Sequence, residues 1–234
     1  MKLHDFFIHF PNTYAFLCSC RRIPNFEKIL YLRNIKKNQV VFDIGANIGV
    51  YTKLFSQLSG ENGTVHSFEP VPETFQLLID SVAGSKNIRA NNLGAGDTEG
   101  MMDISYDPKN SEKSSLLGPQ NNCNFVRTVK VLALDTYAQD VKLERLDFLK
   151  CDVEGFELKA LKGMQNTLAK YHPKISIEVT LPHDQKLELF DLLVDIGYDQ
   201  FRKIERGYSH YSPDQDTHQE GDYFYLYATS SLAS

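Results

Sequence analysis

The run Val40-Val-Phe-Asp-Ile-Gly-Ala-Asn-Ile-Gly-Val-Tyr51 constrains the fold more than any other stretch of the chain. It opens on Val40, Val41 and Phe42, apolar residues bounded by glycine and too few for a helix, which is the pattern of a buried strand. Gly45 and Gly49 follow, and after them Val50, Leu54 and Leu58 recur at helical spacing. The stretch therefore reads as strand, tight glycine turn and helix. Such a turn brings backbone N–H groups to a helix N-terminus, where ligand oxygens can bind, and glycine leaves room for the approach.

The spacing excludes two common nucleotide loops. G-x-G-x-x-G is absent, and so is the lysine of a G-x-x-x-x-G-K-[ST] phosphate loop. Two acids refine the reading. Asp43 sits just before the turn, and Glu69 ends the next strand, Thr64-Val-His-Ser-Phe68, twenty residues after Gly49. A carboxylate in that place on a Rossmann-type sheet accepts the ribose hydroxyls of a nucleoside. An acid beside the turn suits a cationic ligand rather than a pyrophosphate. S-adenosylmethionine meets both conditions: its adenosine suits Glu69, its methionyl ammonium Asp43, and its carboxylate the N–H groups of the turn. The plainer alternative is a structural strand-turn-helix unit with two surface acids.

Asp43-Ile-Gly-Ala-Asn-Ile-Gly49, Phe68-Glu-Pro70 and Lys150-Cys-Asp-Val-Glu-Gly-Phe-Glu157 together resemble the FkbM family of S-adenosylmethionine-dependent methyltransferases, over roughly residues 38–180. Cys151 stands where that family usually has isoleucine, and Gly94-Ala-Gly96 departs from its pattern. The resemblance implies a Rossmann-like class I methyltransferase fold and S-adenosylmethionine as cofactor. The expected cofactor-binding residues are Asp43, Gly45, Ala46, Asn47, Gly49, Tyr51, Glu69, Pro70, Asn92 and Asp152. It also implies that Ser114 and Ser115 face the ligand site, and that the acceptor is a hydroxyl of a small natural product, a sugar or a glycan.

With 234 residues the chain is long enough for one α/β domain with additions: residues 1–37 form a helical extension, a possible substrate cap, ahead of a domain of residues 38–234. A net charge of −5 argues against a nucleic-acid partner. Cys18, Cys20, Cys123 and Cys151 form no paired framework, and Cys18-Ser-Cys20 lacks the spacing of a zinc site. The run around Phe6, Phe7, Ile8 and Phe10 is broken by His9, Pro11 and Asn12, so no membrane span or cleaved leader is expected, and the chain reads as cytoplasmic. Nothing in the sequence fixes an oligomeric state.

Along the chain, a helix is expected from near Pro24, packed on the sheet edge or capping the pocket. Strand 39–44 leads to helix 49–59, strand 64–69 to helix 72–83, and a third strand spans 87–93. A turn-rich loop at 94–100 precedes an antiparallel pair, 101–106 and 128–132, joined by a polar loop. A short helix begins at Leu134; strand 147–152, helix 155–170, strand 174–180 and helix 184–196 follow. Segments 198–204 and 222–228 close the chain as an antiparallel pair. The whole is α/β, a doubly wound and mostly parallel sheet with a C-terminal antiparallel strand pair.

In such sheets ligands bind beyond the carboxyl ends of the strands. Asp43, Glu69, Asn92 and Asp152 each close a strand and should converge there. Asp152 and Glu154 are the candidate bases for an alcohol acceptor, or hold the loop and the cofactor; Glu157, in the first turn of a helix, favours the helix dipole. His183 lies near the expected pocket edge, His66 reads as core or sheet edge, and His210 and His218 lie in the 205–221 loop. No spacing resembles a metal site. The activity expected is O-methylation. A nicotinamide-dependent oxidoreductase and a cofactor-binding module without chemistry are the alternatives.

Overall fold

The structure, a computed structural model, describes residues 26–106, 125–204, 208–212 and 222–229. Ser114, Ser115, His218, residues 1–25 and most of the 105–127 and 205–221 loops lie outside the described residues. The first half runs α1 (Phe26–Asn34), β1 (Val40–Ile44), α2 (Val50–Ser59), β2 (Thr64–Phe68), α3 (Pro72–Ser81) and β3 (Ile88–Asn91). Then come β4 (Gly94–Ala95), β5 (Gly100–Tyr106), β6 (Phe125–Leu132), α4 (Leu134–Asp140) and β7 (Phe148–Cys151). The chain closes with α5 (Glu157–Lys162), α6 (Gln165–Tyr171), β8 (Lys174–Val179), α7 (His183–Ile196), β9 (Gln200–Ile204), β10 (Tyr208–His210) and β11 (Asp222–Tyr227).

Eight strands form one sheet in the order β10-β9-β11-β8-β7-β1-β2-β3, and β4, β6 and β5 form a small second sheet. The five from β8 to β3 are parallel, and β11 runs antiparallel to both β8 and β9. The chain winds outward from β1 to β3, then returns to lay β7 against the other side of β1. The switch point therefore falls between β1 and β7, where a sheet of this kind opens a crevice at its carboxyl edge.

Strand periodicity divides the core. Val41 and Phe148 face α1 and α2, packing with Leu30, Tyr31, Leu54 and Phe55. Their neighbours Phe42, Ile44 and Leu149 face the opposite side and pack with Leu161, Leu168 and Phe190 of α5, α6 and α7. Helix α1 thus lies over the middle of the sheet, not at its edge.

Ser67, Asp43, Lys150, Ser176 and Tyr225 stand in one register row across β2, β1, β7, β8 and β11. All are buried, so a polar row crosses an otherwise apolar sheet just short of the parallel strands' carboxyl ends. Tyr31 of α1 meets this row at Ser176 (3.4 Å between hydroxyl oxygens), and the Tyr225 hydroxyl donates to Asn34 Oδ1 at 2.7 Å.

Three expectations are corrected. The helix over 155–170 is two helices. A Cβ on Gly163 would lie 1.7 Å from the Gly96 carbonyl oxygen, so α5 stops where that backbone crosses it. Asp135 then caps α6, accepting from the backbone N–H groups of Asn166 (3.0 Å) and Thr167 (2.7 Å). The 94–100 loop contains β4, which pairs in parallel with β6. The closing pair gains a third strand, β10, antiparallel to β9.

Candidate active site

A cavity of about 480 Å3 opens at the switch point. Gly45 and Asp152 meet across it: the Asp152 N–H donates to the Ile44 carbonyl at 3.1 Å, and a Cβ on Gly45 would fall 1.7 Å from the Asp152 carbonyl oxygen. Gly45 also has φ +75°, a conformation that penalises residues with a side chain. This glycine brings the ends of β1 and β7 together.

Of the expected residues, Gly45, Ala46, Asn47, Tyr51, Glu69, Pro70, Asp152 and Glu154 line the cavity, whereas Asp43, Gly49, Asn92 and His183 do not. Asp43 alternates to the α2 face of β1, is fully buried, and accepts from Thr52 Oγ1 at 2.6 Å; burial pushes its carboxyl up and the Lys150 ammonium opposes that shift. Gly49 (φ +85°) packs against α3, where a Cβ would come within 2.6 Å of Leu78 and Ser81 side-chain atoms. Asn92 stands behind the wall, its Nδ2 donating to the carbonyls of Glu69 (2.8 Å) and Pro70 (2.9 Å). His183 opens α7. His66 is buried in the core, its Nδ1 2.8 Å from the Tyr137 hydroxyl, and burial first, then Arg89, hold its pKa down to about 4.

The turn is closed on itself, contrary to expectation. Gly45 N–H (3.1 Å) and Ala46 N–H (3.0 Å) both donate to the Phe68 carbonyl, Asn47 N–H to Glu69 Oε2 (3.0 Å), Ile48 N–H to Asn47 Oδ1 (2.8 Å) and Gly49 N–H to the Ala46 carbonyl (2.9 Å). A ligand carboxylate has no open donor from 45 to 49. The next donors begin at the start of α2, which has no side-chain cap, and Val50 and Tyr51 there line the cavity.

Glu69 is 6% exposed and held at both oxygens, by Asn47 N–H and by Val71 N–H at 3.0 Å each. Each oxygen keeps a lone pair for a ligand hydroxyl. Burial raises its pKa to about 7, against those two hydrogen bonds. Phe68, Leu93, Ala95 and Ile104 give this half an apolar wall.

The other half is charged and aromatic, and the sequence reading missed much of it. Lys150 is 2% exposed, yet its Nζ donates to Asp152 Oδ2 at 2.8 Å and lies 5.5 Å from the centre of the Tyr51 ring. Burial opposes the Lys150 charge, but Asp152, Asp43 and Glu27 outweigh it and hold the ammonium above the ordinary lysine range. Burial likewise opposes the Asp152 charge, and Lys150 overcomes it. Tyr51 donates to Glu27 at 2.7 Å, and Tyr31 donates to the same carboxylate. Across β8, Glu178 accepts from the Tyr223 hydroxyl at 2.6 Å; burial first, and the Asp152 charge second, raise its pKa. Glu154 has φ +51° and is followed by Gly155 at φ +94°, a left-handed pair that turns the chain from β7 into α5. Glu157 is buried at the start of α5, accepting from Gly155 N–H at 2.8 Å and Thr180 Oγ1 at 3.2 Å.

The profile of the Methyltransferase FkbM domain matches residues 43–208. The chain belongs to the FkbM methyltransferase family. Methyltransferase sdnD of Sordaria araneosa is 26% identical over 215 residues, covering 79% of this chain and 81% of its own length. Hexuronic acid methyltransferase AglP of Haloferax volcanii is 30% identical over 145 residues, 59% of this chain and 55% of the relative. The crystal structure of the FkbM methyltransferase of Methylobacillus flagellatus superposes with a TM-score of 0.54 at 21% identity, covering 82% of this chain and 44% of that one. That likeness supports the Rossmann-like methyltransferase fold, and the family sets the nicotinamide alternative aside.

S-adenosylmethionine is the cofactor of this FkbM-family fold, and the residues present fit it. Glu69 offers two lone pairs at the end of β2, and the apolar wall suits a purine. The uncapped start of α2 suits a carboxylate. Asp152, Glu154 and Glu178 bring one carboxylate oxygen each within 4.8 Å of one another, close enough to share a cation. The cation that the described residues supply there is the Lys150 ammonium. Sequence spacing pointed to no such set, because Asp152 and Glu178 meet only through the pairing of β7 with β8. Among the described residues no helix is long and apolar enough to cross a membrane.

Proposed function

We propose that this FkbM-family chain methylates a hydroxyl oxygen of a small molecule or glycan, with Asp152 touching the acceptor. The observation that carries the reading is the place of Asp152. It lies on the cavity wall at the switch point, backed by a buried lysine, and across from the half that suits the cofactor. S-adenosylmethionine supplies an electrophilic methyl on a sulfonium: the acceptor oxygen takes the methyl, the C–S electron pair stays on a neutral thioether sulfur, and the hydroxyl proton is released.

Lys150 keeps Asp152 ionised, so Asp152 accepts a hydrogen bond from the acceptor hydroxyl and aims its oxygen. A carboxylate of low pKa is a weak base, but the proton becomes acidic as the new C–O bond forms, so orientation is its larger task. Glu154, at the strained turn beside it, is the second candidate for contact with the acceptor. Tyr51 and Glu27 line the cavity from α2 and α1, which supports the reading of α1 as part of a cap over the acceptor. A cytoplasmic, reducing setting accords with the free Cys151 thiol.

The test follows labelled methyl from S-adenosylmethionine into a panel of sugars and alcohols, with ether formation as the readout. Asp152→Asn should lower kcat on the order of a hundredfold with little change in KM for the cofactor. Unchanged kcat in that variant would remove Asp152 from the mechanism, and label on nitrogen or carbon alone would remove the hydroxyl.

A further inference from the structure

Asp152 and Glu178 meet through the pairing of β7 with β8. The register sets Cys151 opposite Ile177, so the next residues, Asp152 and Glu178, stand side by side on the α1 face, and both line the cavity. A carboxyl oxygen of each lies within 4.8 Å of the other, and the two side chains share a hydrogen bond. An ionised carboxylate only accepts, so a hydrogen bond between two carboxyl groups requires a proton on one of them. Asp152 is the ionised partner, because Lys150 Nζ donates to its Oδ2 at 2.8 Å. The proton therefore belongs to Glu178. Tyr223, opposite Glu178 on β11, donates its hydroxyl to Glu178 Oε2 at 2.6 Å and fixes that carboxyl from the far side. A line of donors thus runs from Tyr223 through Glu178 to Asp152, with Lys150 donating from the other end. Where Asp152 points depends on both neighbours.

We propose that Glu178 is a positioning residue for methyl transfer: as a neutral acid it donates to Asp152 and aims that carboxylate at the acceptor hydroxyl. The proposal rests on the methyl-transfer reading above and adds the group that sets its upper pH limit. Loss of the Glu178 proton puts two carboxylates side by side, where like charges repel, and leaves Asp152 held by Lys150 alone. Burial first, then Asp152, push the Glu178 carboxyl up to about 8; Glu154, on the turn after β7, acts in the same direction, and the Tyr223 hydrogen bond opposes them. Lys150 on β7, Asp43 on β1 and Glu27 on α1 are the other charged groups facing this line.

The test is a pair of measurements on the full chain. The first needs no acceptor: carbon-13 NMR of the chain labelled at its glutamate carboxyls, with Glu178→Gln to assign the signal. Glu178 should titrate near pH 8, and Tyr223→Phe should move it upward, because the lost hydroxyl favoured the ionised form. Titration of Glu178 in the ordinary glutamate range overturns the proposal. The second follows kcat against pH at saturating S-adenosylmethionine, with an acceptor from the panel of sugars and alcohols. In the natural chain kcat should fall about tenfold from pH 7 to pH 9, as for one essential group ionising near 8. An amide keeps a donor and cannot ionise, so Glu178→Gln should hold kcat within about threefold at pH 7 and lose the alkaline fall, with KM for the cofactor unchanged. Glu178→Leu, which has no donor, should lower kcat by about tenfold or more at both pH values. The same alkaline fall in Glu178→Gln, or full kcat in Glu178→Leu, overturns the proposal and leaves methyl transfer standing. Label on no acceptor at any pH would defeat the methyl-transfer reading, and this inference with it.

Discussion

Replacing Lys150 by methionine tests the electrostatic centre of the site, because the two side chains have similar length and only one carries charge. The ammonium is 2% exposed and sits 2.8 Å from Asp152 Oδ2, with the fully buried Asp43 paired to it in register on the adjacent strand. Breaking a buried ion pair from one side typically costs about 3–5 kcal/mol, since the remaining charge is left without compensation. Here the Asp152 side chain is 24% exposed, so it can draw in water or take up a proton, which places the loss near the lower end, about 3 kcal/mol. At about 2–4 °C per kcal/mol for a chain of this size, the midpoint should fall by about 6–12 °C.

Urea unfolding at pH 7 measures the loss, and repeating it at pH 5 tests its cause. Without the lysine, Asp152 and Asp43 lose the cation that favours their charged forms, so acid neutralises them and the deficit should shrink by more than half. The double variant Lys150→Met/Asp152→Asn should recover over 1 kcal/mol of the single variant's deficit, a coupling expected of side chains in direct contact. A single-variant loss under about 1 kcal/mol, or one equally large at both pH values, would refute the reasoning.

Gly45→Ala should cost at least about 3 kcal/mol and abolish cofactor binding, because the new Cβ meets backbone at 1.7 Å. Gly84→Ala is its control: φ is +91° but nothing lies within 4 Å of the added carbon, so only the backbone penalty of about 1–2 kcal/mol is expected. Glu69 and Glu178 carry folded-state pKa values of about 7 and 8, above the unfolded carboxyl value, so their contribution is complete below that value and is lost as pH rises through 7 and 8. The cofactor-free chain should therefore melt lower at pH 9 than at pH 6, and Glu178→Gln should flatten the dependence. Cofactor affinity should move the other way: ribose needs the ionised Glu69, so affinity should fall about tenfold from pH 8 to pH 6, and pH-independent titrations would contradict it.

The fold was most legible where it is local. Val40 to Leu58 carries its own strand pattern, turn glycines and helical spacing, and the structure forms β1 and α2 there. The break between α5 and α6 was not legible, because Leu158, Leu161 and Leu168 keep one apolar face through it; the cause is Gly96, distant in sequence, pressing on Gly163. Asp152 and Glu69 could be found from strand ends alone, and both line the cavity. Asp43 could not be placed that way: it shares a sheet face and a register row with Lys150, which reaches the cavity, but its shorter side chain is held back by Thr52 of α2. Glu178 and Tyr223 depend on β11 inserting between β8 and β9, a pairing that no spacing along the chain encodes. Lys150 left a clue in a charge flanked by Phe148, Leu149 and Cys151, where an unpaired lysine would not be tolerated.

Calorimetric titration with S-adenosylmethionine, for the natural chain and for Glu69→Gln, tests the central claim most directly. The account requires one molecule bound per chain, no heat from NADH under the same conditions, and at least a tenfold loss of affinity in the variant, as expected for removing a charge-assisted pair of ribose hydrogen bonds. Equal affinity in the two proteins, or NADH binding in place of S-adenosylmethionine, would contradict the assignment of this cavity to the methyl donor.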